Sequence, residues 1–212
     1  MKSFPTSLAE RFQQFKTGQF EPGREHYEDL AAHGQNPEVM VVSCSDSRVA
    51  PETLFKAGPG EMFVVRNVAA LVPPYETGGH FHGVSAALEF GVLNIRVKHL
   101  LVMGHSGCGG VKAALNQKAA LETEARFISN WMSMLDDAKL RVLAANQGPD
   151  RSALQPQLEK AGIRTSIANL RTFPFIKELE DRGELTLHGA HFDIPTGTLS
   201  ILDNDTVEFV EL

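Results

Sequence analysis

Three short apolar runs divide the first half of the chain: "VMVVSC" (39–44), "MFVVRN" (62–67) and "HLLVMG" (99–104). Each run contains a continuous apolar stretch that includes β-branched valine, which is the pattern of a strand that is covered on both faces of a parallel sheet. Between the second and third runs, "VSAALEFGVLNIR" places its apolar side chains on one helical stripe, as a crossover helix requires. These runs predict a βαβ unit.

The rest of the chain adds helices and a returning strand. Leu8, Phe12 and Phe15 share one helical face, and a second, polar helix is predicted from about Pro22 to His33. Two further helical patterns, 127–142 and 154–168, precede a break at Pro174. The tail "ELTLHGAHFDIPTGTLSILDN" predicts a strand, a turn and a returning strand.

The predicted fold class is therefore α/β, with a mostly parallel central sheet, an antiparallel edge strand and flanking helices. We expect the N-terminal helical arm to pack on a partner subunit, because one of its faces is apolar. The sequence contains no internal repeat and no Pro/Gly/Ser-rich linker, so we predict a single domain over residues 1–212.

Composition narrows the function classes. Lys plus Arg is 20 and Asp plus Glu is 26, so the formal net charge is 20 − 26 = −6, without a basic cluster. We expect no nucleic-acid partner. No stretch approaches the roughly 20 apolar residues that span a bilayer, and the start lacks an apolar leader, so we expect no membrane association and a cytoplasmic location. Two cysteines are too few for a disulfide framework.

Both cysteines fall where predicted strands end. Cys44 ends the first run, and His105 and Cys108 lie in "GHSGCGG" directly after the third. Ligands of parallel sheets bind at the carboxyl ends of the strands, so the three side chains are expected at one edge. A Cys₂His set suits Zn²⁺, and three protein ligands leave the open position of a catalytic zinc. Each cysteine alone is more often a small buried hydrophobe, but the conjunction favours a metal site.

Asp46 and Arg48 follow Cys44 at alternate positions. In an extended segment, alternate residues point to one side, so the three side chains are predicted to line one wall of the pocket. The carboxylate would orient a zinc-bound water, and the guanidinium would keep that carboxylate ionised. The alternative is a surface pair that caps a helix starting near Pro51.

The sequence resembles the β-class carbonic anhydrases. The segments "CSDSR" and "HSGCGG" are similar to the two signatures of that family, and "GQNP", "FVVRNVAALVPPY" and "SAALEF" stand in the family's order from about Gly34 to Ile201. The resemblance implies Zn²⁺ on Cys44, His105 and Cys108, with Asp46 and Arg48 as the family's dyad. It implies a lyase, carbonate dehydratase, in which zinc-bound hydroxide attacks CO₂ and yields bicarbonate and a proton.

The same resemblance implies a substrate pocket and an oligomer. Its donors would be the Gln35 amide and the Gly109 backbone N–H, and its walls would be Phe63, Val68 and Phe81. Phe81 stands where relatives often have tyrosine. The family's members are homodimers or larger homo-oligomers, including dimers of dimers. His80 and His82 precede the crossover helix, either as proton relays or as ordinary solvated residues.

Some bacterial relatives switch off when the dyad aspartate binds zinc, aided by bicarbonate on a Trp, an Arg and a Tyr. Here Arg66 matches, but Val41 and Phe192 stand at the other two positions. We therefore predict that this chain lacks that state and resembles the plant-like subgroup.

Three alternatives stay open from the sequence. The first is hydrolysis of carbonyl sulfide or carbon disulfide on the same zinc ligands. The second is a structural zinc whose fourth position is closed by Asp46. The third is a redox dithiol, which the separation of 64 residues between Cys44 and Cys108 disfavours.

Overall fold

The structure is a computed structural model that describes residues 4–116 and 126–212. The chain divides into two compact units, residues 1–36 and 37–212. The prediction of a single domain over residues 1–212 stays a prediction. None of the helices in the described ranges is long and apolar enough to cross a membrane.

The N-terminal unit is helical, as predicted. Helix α1 (Thr6–Phe15) continues as a π-helical turn, Lys16–Phe20, and α2 spans Arg24–His33. Aromatic rings hold the two helices together: the ring centroid of Tyr27 lies 5.0 Å from that of Phe20 and 6.2 Å from that of Phe15. Leu8 and Phe12 stay exposed on α1.

The second unit is built on a six-stranded sheet of order β2-β1-β3-β4-β5-β6. Strands β1 to β4 are parallel, and β5 and β6 are antiparallel to their neighbours. This topology confirms the predicted fold class. The strands are β1 (Val39–Cys44), β2 (Met62–Asn67), β3 (His99–His105), β4 (Thr186–Phe192), β5 (Leu199–Leu202) and β6 (Phe209–Glu211).

Helices connect and flank these strands. They are α3 (Pro51–Leu54), α4 (Gly83–Glu89), α5 (Gly109–Leu115), α6 (Arg126–Met132), α7 (Asp136–Ala145), α8 (Leu154–Leu170) and α9 (Pro174–Asp181). A π-helical segment, Phe90–Ile95, extends α4, and 3₁₀ turns occur at Val68–Ala70 and Ser133–Leu135. Pro174 both follows the end of α8 and begins α9, because proline is tolerated in the first helical turn.

Helix α8 lies close against the middle of the sheet because two strand positions lack a side chain. A Cβ atom at Gly104 would be 2.9 Å from Cδ1 of Ile163. At Gly189 it would be 2.9 Å from both Ile163 and Ile167. The two isoleucines are buried in the main apolar cluster together with the inner residues of β1 and β3. This contact fixes α8 on β3 and β4, the strands beside the candidate site.

Candidate metal centre

Three buried side chains meet at the carboxyl edge of the parallel strands. Cys44 is the last residue of β1, His105 is the last residue of β3, and Cys108 is the N-cap of α5. The two Sγ atoms are 4.0 Å apart. A nitrogen of His105 and both sulfurs lie within 4.8 Å of one another, so the three side chains could hold a metal ion.

The orientation of His105 fits a cation. Its Nδ1 is 2.9 Å from the carbonyl oxygen of Ser106, so Nδ1–H donates to that oxygen and Nε2 presents a lone pair. His105 is only 1% exposed, and Nε2 has no hydrogen-bond partner among the residues that the structure describes. A buried polar atom without a partner is costly, and coordination of a metal would satisfy it.

Backbone amides surround both sulfurs. Those of Asp46 and Ala69 donate to the Cys44 sulfur, and those of Gly110 and Val111, in the first turn of α5, donate to the Cys108 sulfur. The hydrogen bond from the Cys108 thiol, followed by the proximity of the His105 ring, lowers the pKa of Cys44 against the effect of burial. The same hydrogen bond and burial raise the pKa of Cys108. The protein alone thus favours one thiolate, and a cation would stabilise the second.

The charge on His105 responds to the same neighbours. Burial acts to lower the pKa of His105, but the adjacent Cys44 sulfur and the hydrogen bond with the Ser106 carbonyl outweigh it, so that the pKa is raised. The cluster therefore attracts positive charge, either as a proton or as a metal ion.

Asp46 and Arg48 are brought together, but by a turn and not by an extended segment. The backbone N–H of Arg48 donates to Oδ1 of Asp46 at 3.0 Å, which closes the turn. The guanidinium then pairs with both carboxylate oxygens, from Nε at 2.9 Å and from Nη2 at 2.7 Å. The expected extended geometry was wrong because the aspartate side chain competes for the backbone.

This pair does not cap a helix in the described part of the chain. Helix α3 begins at Pro51, with Ala50 as its N-cap and without a side-chain cap. Oδ2 of Asp46 instead lies 3.8 Å from Nε2 of His105. The Arg48 hydrogen bonds hold the pKa of Asp46 well below its usual range, so the carboxylate is ionised near neutral pH.

Arg66, at the end of β2, fixes the main chain of this turn. Its Nε donates to the carbonyl of Cys44 at 3.0 Å, and its Nη2 donates to the carbonyl of Asp46 at 2.6 Å. Charged donors make strong hydrogen bonds. Arg66 therefore connects the first candidate ligand with the carboxylate beside it.

Two of the predicted pocket walls line one apolar groove. Val68 and Phe81 border a groove of about 620 Å³, together with Asn67 and Trp131. Asn67 is the register partner of Cys44, so the groove begins next to the cluster. The Phe81 side chain is fully exposed at its edge. Gly109 is the first residue of α5, where a backbone N–H has no carbonyl partner inside the helix.

Phe63 lies at the opposite end of β2 from this groove. Phe63 is the second residue of β2 and the register partner of Met40, far from the strand end at Asn67. Its ring packs against Phe90, 5.9 Å between centroids. Residues of β2 advance about 3.3 Å each, so within one chain position 63 is separated from the strand end at Asn67, and its role as a pocket wall stays a prediction. Gln35 lies in the N-terminal unit, and its role stays a prediction.

Sequence reasoning missed the residues behind Cys108. Glu159 on α8 is 4% exposed and accepts the Cys108 backbone N–H at 3.0 Å. Gln155 and His191 complete its hydrogen bonds. The sequence contained one weak indication that Glu159 is buried, since it directly follows Leu158 within the apolar pattern of α8. Only the packing of α8 on the sheet shows what the carboxylate contacts.

A parallel sheet with a buried Cys₂His cluster at its carboxyl edge, an ionised carboxylate beside it and an adjoining apolar groove defines an α/β metalloenzyme. Comparisons with known proteins agree with this class of enzyme. The model of the family described as "Carbonic anhydrase" matches residues 39–199. The chain belongs to this family.

Individual relatives place it in the β class. It is 36% identical over 196 residues to beta carbonic anhydrase 3 of Arabidopsis thaliana, covering 92% of this chain and 75% of that protein. The structure of the β-carbonic anhydrase CcaA is similar with a TM-score of 0.89 at 31% identity, over 98% of both chains. One of two tetrameric β-carbonic anhydrases from Sordaria macrospora has a TM-score of 0.78 at 25% identity, over 93% of this chain and 98% of that one. The protein is thus a β-class carbonic anhydrase, a carbonate dehydratase that hydrates CO₂.

Proposed function

We propose that this chain holds Zn²⁺ on Cys44, His105 and Cys108 and uses it for the reversible hydration of CO₂ to bicarbonate and a proton. One observation carries the assignment: the buried Nε2 of His105 is without a hydrogen-bond partner among the described residues and lies beside two sulfurs that are 4.0 Å apart. Two thiolates and one imidazole are a donor set that suits zinc and that excludes hard cations such as Mg²⁺.

Bound there, Zn²⁺ would supply the Lewis acidity that makes water nucleophilic near neutral pH. Asp46 would accept a hydrogen bond from that water. Arg48 donates two hydrogen bonds to Oδ1 of Asp46 and one to Oδ2. Oδ2 also lies 3.8 Å from Nε2 of His105. The carboxylate would therefore orient the nucleophile, and its pairing with Arg48 would keep it ionised. Two thiolates neutralise the charge of the ion, so we expect activity to rise on the alkaline side.

We further propose that Asp46 stays off the metal. The bidentate pairing with Arg48 and the main-chain bonds from Arg66 both oppose its movement. Val41 is completely buried, and Phe192 packs in the apolar cluster around Cys44. Neither side chain offers a hydrogen bond to bicarbonate, which supports an enzyme without the bicarbonate-inhibited state.

The apolar groove is the proposed route and binding surface for CO₂. CO₂ is apolar, and a groove bordered by Val68 and Phe81 gives it a favourable environment next to the cluster. The Gly109 backbone N–H would donate to the developing bicarbonate. His82 also lines the groove, which makes it the better placed of the two predicted proton relays.

We propose a homo-oligomer as well. The Sordaria macrospora proteins are described as tetrameric. In this chain, Phe81 and Phe127 are 100% and 94% exposed, and Leu8 and Phe12 on α1 are exposed too. Apolar surface of this extent favours association between subunits. The cytoplasmic location stays a prediction from the sequence.

In the fold, the two cysteines lie close enough together for the redox alternative. The sequence separation of the cysteines is no obstacle to a dithiol, because their sulfurs are 4.0 Å apart. What favours a metal is His105, whose buried Nε2 would have no function in a disulfide.

The test is stopped-flow CO₂ hydration on zinc-loaded protein from pH about 6.5 to about 9, because the pH profile of the rate reports the ionisations that govern it. We expect turnover near neutral pH that rises smoothly with alkalinity. Activity that appears only above pH ~8 would mean that Asp46 closes onto the metal. Bound zinc without activity at any pH would instead favour the sulfur-substrate or structural alternatives.

A further inference from the structure

A buried carboxylate without a role in the chemistry above lies behind Cys108. Oε1 of Glu159 accepts the Cys108 backbone N–H at 3.0 Å and the Gln155 side-chain amide at 2.9 Å. Oε2 of Glu159 lies 3.4 Å from Nε2 of His191, which is itself 6% exposed. Burying a carboxylate costs several kcal/mol unless such donors satisfy it, so Glu159 is stable there only as part of this network.

The network holds the backbone of Cys108 at both of its polar atoms. Glu159 accepts its N–H, and Gln155 donates to its carbonyl oxygen at 3.2 Å. Gln155 and Glu159 are four residues apart and therefore lie on the same face of α8. Without Glu159, the Cys108 N–H would be a buried donor without an acceptor, because an N-cap N–H has no partner inside its own helix.

Helix α8 connects Gln155 and Glu159 to β3, the strand that carries His105. Ile163, one turn after Glu159, lies against Gly104, the residue immediately before His105. Cys108 is thereby fixed relative to His105 by two routes, the short loop between them and the packing of α8 on β3. The loop by itself is rich in glycine, and Gly107 has a φ of +68°. The second route supplies the rigidity that such a loop lacks.

We propose that Glu159 is a positioning residue that, together with Gln155, holds Cys108 where its sulfur can share a metal ion with Cys44 and His105. The proposal rests on the metal assignment made above. Glu159 touches neither the substrate groove nor a ligating atom, so its effect is expected on metal affinity and ligand geometry.

The test compares E159M with E159Q. Methionine has nearly the same length and volume as glutamate but no acceptor for the Cys108 N–H, whereas glutamine keeps a carbonyl oxygen at that position. Zn²⁺ affinity is measured by competition with a chromophoric chelator, and the thiolate-to-Co²⁺ charge-transfer bands of the Co²⁺ form report the ligand geometry. For E159M we expect Zn²⁺ affinity about 10- to 100-fold weaker and altered bands. E159Q should stay close to the unchanged protein in both measurements.

Two further variants keep the result interpretable. Q155A should weaken Zn²⁺ binding in the same direction but less, and it serves if E159M does not fold. Q157A is the matched control on α8, because Gln157 is exposed and pairs with Asn146, and it should change neither measurement.

Unchanged affinity and spectra in E159M, with only a lower unfolding temperature, would overturn the positioning role and leave a packing role. An E159Q protein as weak as E159M would overturn it too, because the loss would then follow the charge and not the acceptor. C108S separates this outcome from failure of the metal assignment. If C108S kept full Zn²⁺ affinity, the proposed ligand set would be wrong. If C108S lost Zn²⁺ affinity while E159M kept it, only the role of Glu159 would be rejected.

Discussion

The two ends of the parallel strands carry histidines in opposite situations. At the carboxyl end, His105 is 1% exposed and its Nε2 lacks a hydrogen-bond partner among the described residues. At the amino end, His99 and His188 are solvent-accessible, and Nδ1 of His99 lies 3.2 Å from Nε2 of His188. Glu38 and Lys98 form an exposed ion pair beside them.

The difference shows what distinguishes a site from a group of polar residues. Both ends contain imidazoles and charged side chains. At the amino end, each group either has a partner or meets water, so a ligand would gain little. At the carboxyl end, burial removes water, and the fold leaves a lone pair and two sulfurs facing one another. Burial together with an unsatisfied atom, and not residue type, marks the functional end.

Removal of a candidate metal ligand should produce the largest effect on zinc content and activity. C108S replaces a thiolate by a hydroxyl that zinc binds poorly, so we expect loss of zinc and a fall in kcat/KM on the order of 10³-fold. Zinc content by elemental analysis and stopped-flow CO₂ hydration check this. The H99A/H188A double variant is the matched control at the other sheet end. Loss of zinc or activity in that control would break the comparison.

The next largest effect should come from D46N. The amide keeps the shape of the side chain but loses the charge that orients the nucleophile and pairs with Arg48. We expect a fall of about 100-fold in kcat with zinc content unchanged. Hydration assays combined with zinc analysis separate the two quantities. Full activity in D46N would show that Asp46 is only part of a surface ion pair.

The packing that supports the functional end can be tested at Gly189. An alanine Cβ there would be 2.9 Å from both Ile163 and Ile167, which are buried and cannot move away freely. We expect G189A to lower the free energy of unfolding by about 1–3 kcal/mol. Urea denaturation measures this. G148A, where a Cβ would meet nothing within 4 Å, should be nearly neutral. Equal stability of the two variants would contradict the close approach of α8.

The smallest effect is expected for the pH dependence of stability at the amino end of the parallel strands. Partial burial, followed by the charge of His99, lowers the pKa of His188 below its ordinary value. The unfolded chain then binds more protons than the folded one between that lowered pKa and about 6.5, so stability is lost as the pH falls through this window. H188Q cannot titrate and should lose less stability between pH ~7.5 and ~5. Urea midpoints at the two pH values measure the difference, and equal losses would refute the shift.

Several elements were predictable because they depend on local pattern. The three apolar runs became β1, β2 and β3 with the same bounds to within one residue, and the tail became β4 and β5 around a turn at Gly197. The meeting of Cys44, His105 and Cys108 was predictable as well, because parallel strands deliver their carboxyl ends to one edge.

Other features depended on contacts between distant segments or on a local competition for hydrogen bonds. The turn at Asp46 replaced an extended segment, since a side-chain hydrogen bond decided the backbone. Phe63 and Phe81 appeared equivalent as aromatic pocket residues, yet one packs against Phe90 and the other is fully exposed at the groove. Glu159 was invisible as a functional residue until α8 was placed on β3.

The sequence by itself determined the strands, the edge at which chemistry occurs and the residue types of the cluster, because hydrophobic periodicity and strand direction are local properties. Only the tertiary structure decided that a buried nitrogen of His105 has no hydrogen-bond partner among the described residues, that Arg48 pairs with both carboxylate oxygens of Asp46, and that a carboxylate on α8 holds the Cys108 backbone. Each of these rests on a contact between segments that are far apart in the chain or on a competition for hydrogen bonds. Such outcomes depend on which groups burial deprives of water, and no single stretch of sequence contains that information.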